Sequence, residues 1–200
     1  MKLFLASANP HKAREFQALA DASGCRVAIR PATEAGGMPS VVEDTGTFLG
    51  NAQKKARALQ ARLPAGGWAL ADDSGLCVDA LAGAPGVESA YFAGPKSDDA
   101  ANLRHLIEVM RDVPDDRRGA HYVCVLVLAG PAGAEQVFEG HCGGRLAREP
   151  RGQGGFGYDP LFVPEGYERT FAELGDAIKH RLSHRARAWA SLAEWLNSRP

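Results

Sequence analysis

Residues 2–30 read KLFLASANPHKAREFQALADASGCRVAIR, and the spacing of their apolar side chains changes twice. Lys2 to Ala6 is a short apolar run that predicts a strand. From Pro10 to about Ser23, the residues Ala13, Phe16, Leu19 and Ala20 recur at the spacing of one helix face. Asn9 fits the N-cap, Pro10 the first helical position and Gly24 the stop. Cys25 to Arg30 predicts a second strand, and the three elements make a β-α-β start. The opening MKLFLASA does not read as a secretion signal, because its apolar run stops and Asn9-Pro10-His11-Lys12 follows at once.

Outward from this unit, Thr47 to Leu63 predicts a helix, Trp68 to Ala71 a strand and Leu76 to Ala80 a further short extended piece. Gly83-Ala84-Pro85-Gly86 reads as a turn and Ser97 to Arg111 as a helix, with Asp98 and Asp99 well placed in its first turn. Gly119 to Ala129 and Glu135 to Gly140 predict a hairpin around Gly130-Pro131-Ala132-Gly133. A last helix is expected from about Asp176 to Ser198, with Leu182, Trp189, Leu192 and Leu196 on one side. Strands and helices that alternate at first and then give way to a strand-rich middle imply an α/β chain with a mixed sheet. With no internal repeat and no disordered linker, residues 1–200 are expected to form a single domain.

Composition bounds the function. The 200 residues are 45% hydrophobic and 24% charged, an ordinary globular balance with enough length for a sizeable core. A formal net charge of -1 gives no general attraction to nucleic acid or to an anionic membrane, so an anionic ligand must be met by local positive charge. Cys25, Cys77, Cys124 and Cys142 are far apart, which argues against zinc and against a disulfide framework and for buried free thiols in a reducing cytoplasm. The longest strongly apolar run, Tyr122 to Ala129, is far short of the roughly 20 residues of a membrane span.

Gly152 to Pro160 reads GQGGFGYDP and satisfies G-x-G-x-x-G. In a dinucleotide-binding loop those glycines leave a strand and open a helix. Here Pro150 and Pro160 flank the stretch, so neither element is expected and the match is coincidental. What remains is a glycine-rich surface loop ending in Phe156, Tyr158 and Asp159, which suits a flat aromatic ligand.

Three segments carry chemistry. The first is Ser7-Ala8-Asn9-Pro10-His11-Lys12. A cation in the first turn opposes the helix dipole, so Lys12 is mildly destabilising unless an anion shares the site. Helix N-termini bind phosphate through free N–H groups, and Ser7 adds a hydroxyl; a solvated lysine is the alternative. The second is Asp72-Asp73-Ser74-Gly75 at the end of an apolar strand. Adjacent strand residues face opposite sides, so the two carboxylates do not act as a pair. Glu43-Asp44 offers a second acidic pair that could converge with Asp73 on Mg²⁺, which takes few carboxylates and completes its shell with water and phosphate. The third is Lys179 to Arg185. Arg181, and Arg187 just beyond it, read as solvated, whereas Lys179, His184 and Arg185 are candidate contacts to a base edge or phosphate, and spacing does not choose among them. His105, His121 and His141 lack metal spacing and read as structural or exposed.

Taken in order, these pieces resemble the non-canonical purine nucleoside triphosphate pyrophosphatases, the inosine/xanthosine triphosphate pyrophosphatase family. The resemblance rests on Ser7 to Lys12, Glu43-Asp-Thr-Gly46, Phe48-x-x-Asn51-Ala52-x-x-Lys55-Ala56, Ala71-Asp-Asp-Ser-Gly-Leu76, Gly83-Ala-Pro-Gly86, Gly154-Gly-Phe-Gly-Tyr-Asp-Pro160 and Ser183-His-Arg185. Ala8 departs from it, since the family usually has glycine there. The resemblance implies an elongated two-lobed α/β fold, with a central mixed twisted sheet flanked by helices and a long active-site cleft, and a cytoplasmic homodimer. It implies Mg²⁺-dependent hydrolysis of ITP, dITP and XTP to the monophosphate and pyrophosphate. Asp73 would accept the proton of the attacking water and bind the metal with Glu43. Ser7, Ala8, Asn9, Pro10, His11 and Lys12 would hold phosphates, and Ser74, Phe156, Gly157, Tyr158, Asp159, Lys179, His184 and Arg185 would line the nucleotide pocket. Two other classes stay open: a related septum-formation type pyrophosphatase for modified pyrimidine nucleotides, and a non-catalytic nucleotide-binding module, against which the intact Asp73 and Glu43 argue.

Overall fold

The computed structural model describes residues 1–7 and 9–198; Ala8 lies outside the described residues. Six strands form one sheet in the order β2-β1-β3-β4-β5-β6. They are β1 (Lys2–Leu5), β2 (Ala28–Pro31), β3 (Trp68–Val78), β4 (Gly119–Ala129), β5 (Glu135–Leu146) and β6 (Phe162–Pro164). β1 runs parallel to β2, with Leu3 opposite Ile29, and parallel to β3, with Leu3 opposite Trp68. β5 and β6 are antiparallel, so the sheet is mixed as expected. The helices are α1 (Pro10–Ala22), α2 (Phe48–Gln60), α3 (Asp99–Val109), α4 (Phe171–Leu174), α5 (Asp176–Leu182) and α6 (His184–Asn197). No helix among the described residues is long and apolar enough to cross a membrane.

The chain divides into two compact units. The first comprises Met1–Asp73, Cys124–Gly140 and Arg187–Pro200. Phe16 of α1 meets Trp189 of α6 with ring centroids 6.0 Å apart, and the Trp189 indole N–H donates to Ser23 Oγ at 3.1 Å. Leu3, Leu5, Leu59 and Leu70 of this unit are also fully buried. The second unit comprises Ser74–Val123 and His141–Ala186. Its core holds Leu76, Val78, Leu106, Met110, Tyr122, Phe162 and Phe171. The buried Arg118 guanidinium clips it by donating to the carbonyls of Met110, Val113, Leu146 and Ala147.

Several boundaries differ from the sequence reading. β3 is one 11-residue strand running straight through Asp72 to Gly75, where two separate pieces were expected. An acidic pair before glycine reads locally as a turn, but here both carboxylates are buried against lysines far away in sequence, and pairing overrides the local signal. The last helix breaks at Ser183, which is extended (φ -65°, ψ 158°) and accepts the Ala186 N–H at 3.2 Å, so it caps α6 instead of continuing α5. β2 starts at Ala28 rather than Cys25, whose thiol instead lies 3.9 Å from the Ala193 carbonyl. β5 extends to Leu146, beyond the expected Gly140. All four cysteines are free, as expected, three buried and Cys77 half-buried.

Candidate active site

In the first unit, the N-terminus of α1 is built by two local hydrogen bonds. The Asn9 side chain accepts the His11 N–H at 2.8 Å, and Ser7 Oγ accepts the Asn9 N–H at 3.1 Å. Pro10 opens the helix, and His11 Nδ1 lies 3.0 Å from Arg14. The anion that Lys12 requires is Asp72, whose Oδ2 lies 2.5 Å from its ammonium.

Asp73 turns the opposite way, as alternation along a strand dictates. Its Oδ1 accepts from Lys55 Nζ at 2.5 Å, and the same ammonium donates to Glu43 Oε2 at 2.9 Å. Asp44 instead pairs with Lys54 at the surface, so Glu43 alone of that acidic pair faces Asp73. The loop bearing Glu43 is fixed by α2: Thr47 caps the helix by accepting from Gly50 N–H at 3.1 Å, and Asn51 Oδ1 accepts from Thr45 Oγ1 at 2.8 Å. Electrostatics separate the two carboxylates. Burial lifts Asp73 to about 6, against the pull of Lys55. For Glu43, burial also works upward, but Lys55 prevails and holds it below the ordinary carboxylate range. Lys55, though buried, is raised because both anions outweigh its desolvation.

Motif spacing alone assigns no role to Lys55. The signal was present, since Asn51, Ala52, Lys55, Ala56 and Leu59 form the buried face of α2 and a lysine within such a stripe needs anions.

In the second unit, the ring of Phe156 lies under two cations, with Lys179 Nζ 4.3 Å and the Arg185 guanidinium carbon 5.3 Å from its centroid. Arg185 also donates to Ser74 Oγ at 2.7 Å. His184 stacks on Tyr122 at 4.6 Å with planes 8° apart, a partner that spacing could not reveal. Asp159 is buried and organises the loop, accepting from Lys179 at 2.5 Å and from Phe156 N–H at 2.9 Å. Tyr158 is buried too; its hydroxyl donates to the Ser89 carbonyl at 2.7 Å, and burial pushes its pKa above the ordinary phenol value. The Gly157 N–H donates to Asp99 at 3.2 Å. No helix or strand includes residues 151–160, in keeping with rejection of the dinucleotide fingerprint. Gly155 has φ +74°, and a Cβ there would run into the Asp159 carboxylate. Close approach to a buried anion, not a phosphate cradle, explains that glycine. Arg181 and Arg187 are exposed, as expected.

Residues 3–195 match the sequence model of the Ham1 family. This chain belongs to the Ham1 family. It is 63% identical over 199 residues to the dITP/XTP pyrophosphatase of Opitutus terrae, with 98% of each chain covered. It is 47% identical to the protein of the same name from Leifsonia xyli subsp. xyli, covering 100% of this chain and 98% of the relative. Among solved structures, a HAM1 protein from Coxiella burnetii superposes with a TM-score of 0.87 at 37% identity over the whole of both chains. The nucleoside-triphosphatase, dITP/XTP pyrophosphatase, of Mycobacterium abscessus gives a TM-score of 0.76 at 44% identity, covering 96% of this chain and 98% of that one.

Proposed function

We propose that this Ham1-family enzyme, a nucleoside triphosphate pyrophosphatase, hydrolyses ITP, dITP and XTP between the α- and β-phosphates, giving the monophosphate and pyrophosphate. The observation that carries the proposal is the Glu43–Lys55–Asp73 assembly, in which Asp73 Oδ2 is buried with no hydrogen-bond partner among the described residues. A buried carboxylate oxygen left open in this way fits a ligand that arrives with its own charge. Mg²⁺ fits the donor set. No group of three or more His, Cys, Asp or Glu among the described residues could hold a metal, and Mg²⁺ needs only one or two carboxylates when phosphates and water complete its shell. Glu43 and Asp73 would hold it, and it would supply neutralisation of the phosphate charge.

The chain's own residues do the rest. Asp73, raised toward neutrality by burial, accepts the proton of the attacking water. Glu43, kept ionised by Lys55, holds its charge throughout. Lys12, Ser7 and the N-terminus of α1 bind the phosphate chain. Phe156 offers a stacking face, while His184, Arg185 and Lys179 read the base. A donor at the purine 6-position favours the oxygen of inosine over the amine of adenosine. The cytoplasmic, homodimeric state implied by the family resemblance belongs to the same proposal.

The test is pyrophosphate release from ITP, XTP, ATP, GTP and the pyrimidine triphosphates, each with Mg²⁺ and with a chelator. Chelator-sensitive release from ITP and XTP, with ATP and GTP nearly untouched, is expected. Release confined to pyrimidine nucleotides would overturn the purine assignment.

A further inference from the structure

Asp72 has no part in the chemistry above, yet its side chain is fully shielded from solvent. Its Oδ2 lies 2.5 Å from the Lys12 ammonium, and its Oδ1 accepts from Cys124 Sγ at 3.2 Å. Cys124 is itself fully buried, on β4, the strand next to β3. A buried carboxylate persists when donors meet its oxygens, and here an ammonium meets one and a thiol the other. The thiol is a weak donor, so its effect is on geometry more than on charge. It holds the carboxylate in one orientation, and the carboxylate in turn holds the ammonium. Lys12 needs this restraint, because the dipole of α1 repels a cation in the first turn and a four-carbon stem is otherwise free to swing away.

We propose that Cys124 is a positioning residue: acting through Asp72, it fixes the Lys12 ammonium at the start of α1, where it meets the phosphate chain of the substrate. This rests on the phosphate role given to Lys12 above.

The test is a mutant cycle. Cys124→Val keeps the site filled, with about one extra methyl group, and deletes the S–H, whereas Cys124→Ser keeps a donor. The KM for ITP is expected to rise about twofold to threefold in Cys124→Val, the factor that a hydrogen bond at the weak end of the net range corresponds to, with kcat nearly unchanged. Cys124→Ser recovers most of the loss. In a Lys12→Gln background, Cys124→Val adds nothing further, because the two act in series. A packing role alone would give the same factor in both backgrounds; that additive result, or an unaltered KM in Cys124→Val, overturns the proposal. Cys124→Ala completes the cycle in its place should the valine variant not fold. If the wild type releases pyrophosphate from no nucleotide, the functional reading fails by itself. The same cycle read in urea midpoints then decides the matter: coupling between positions 124 and 12 upholds the link, and additivity removes it.

Discussion

Burial lifts the Asp73 carboxyl to about 6 while Lys55, 2.5 Å away, pulls it back, and the result is a base that is ionised at neutral pH but still able to take a proton. Asp73→Asn keeps the shape and removes the basicity. Turnover of ITP should fall about 10²- to 10⁴-fold, the range for loss of a general base, with nucleotide binding still measurable by calorimetry. Near wild-type turnover would show that another group takes the proton. Lys55 is the next residue to probe, because a single ammonium neutralises two carboxylates while itself only 11% exposed. Lys55→Met leaves both anions without it and should lower stability by about 3–5 kcal/mol in a urea titration without metal. Added Mg²⁺ should restore part of the loss, since it would occupy the same carboxylates. A metal-independent loss would argue that Glu43 and Asp73 do not share the ion.

At the scale of elements, the N-terminus of α2 decides where Glu43 stands. A Cβ on Gly50 would lie 2.5 Å from Thr45 Oγ1 and 2.9 Å from Thr47 Oγ1, so the loop over residues 43–47 rests directly on a glycine. Gly50→Ala should therefore push that loop away, at a cost of about 1–3 kcal/mol for overpacking. The Mg²⁺ concentration for half-maximal rate should rise. An unchanged metal requirement in a destabilised variant would mean that the loop holds Glu43 by other contacts. The helix itself was legible in advance, because Thr47 as cap and a 3.6-residue apolar period are local signals. The helical break at Ser183 was not. Ser-His-Arg continues a helix by propensity alone, and only the Ser183 hydroxyl accepting the Ala186 N–H reveals a new start.

Across the whole molecule, β3 passes from the first unit to the second between Asp73 and Ser74, and β4 returns between Val123 and Cys124. β5 crosses again between Gly140 and His141, and three strands threaded through both units should make unfolding cooperative. All three tryptophans, Trp68, Trp189 and Trp195, belong to the first unit, so their fluorescence reports that unit while far-ultraviolet circular dichroism reports the whole chain. The two probes should give coincident urea transitions, and separated midpoints would show that the units unfold independently. By itself the sequence determined the β-α-β start, the α1 cap, the mixed character of the sheet and the family, because each is written in local periodicity, capping residues and short motifs of fixed spacing. Tertiary structure alone decided that Lys12 answers to Asp72, that Glu43 and not Asp44 turns to Lys55, that His184 leans on Tyr122, and that Asp159 serves its own loop. Those pairings join residues distant in the chain, and what selects them is the need of each buried charge or ring for a partner, a condition that exists only once the chain has folded.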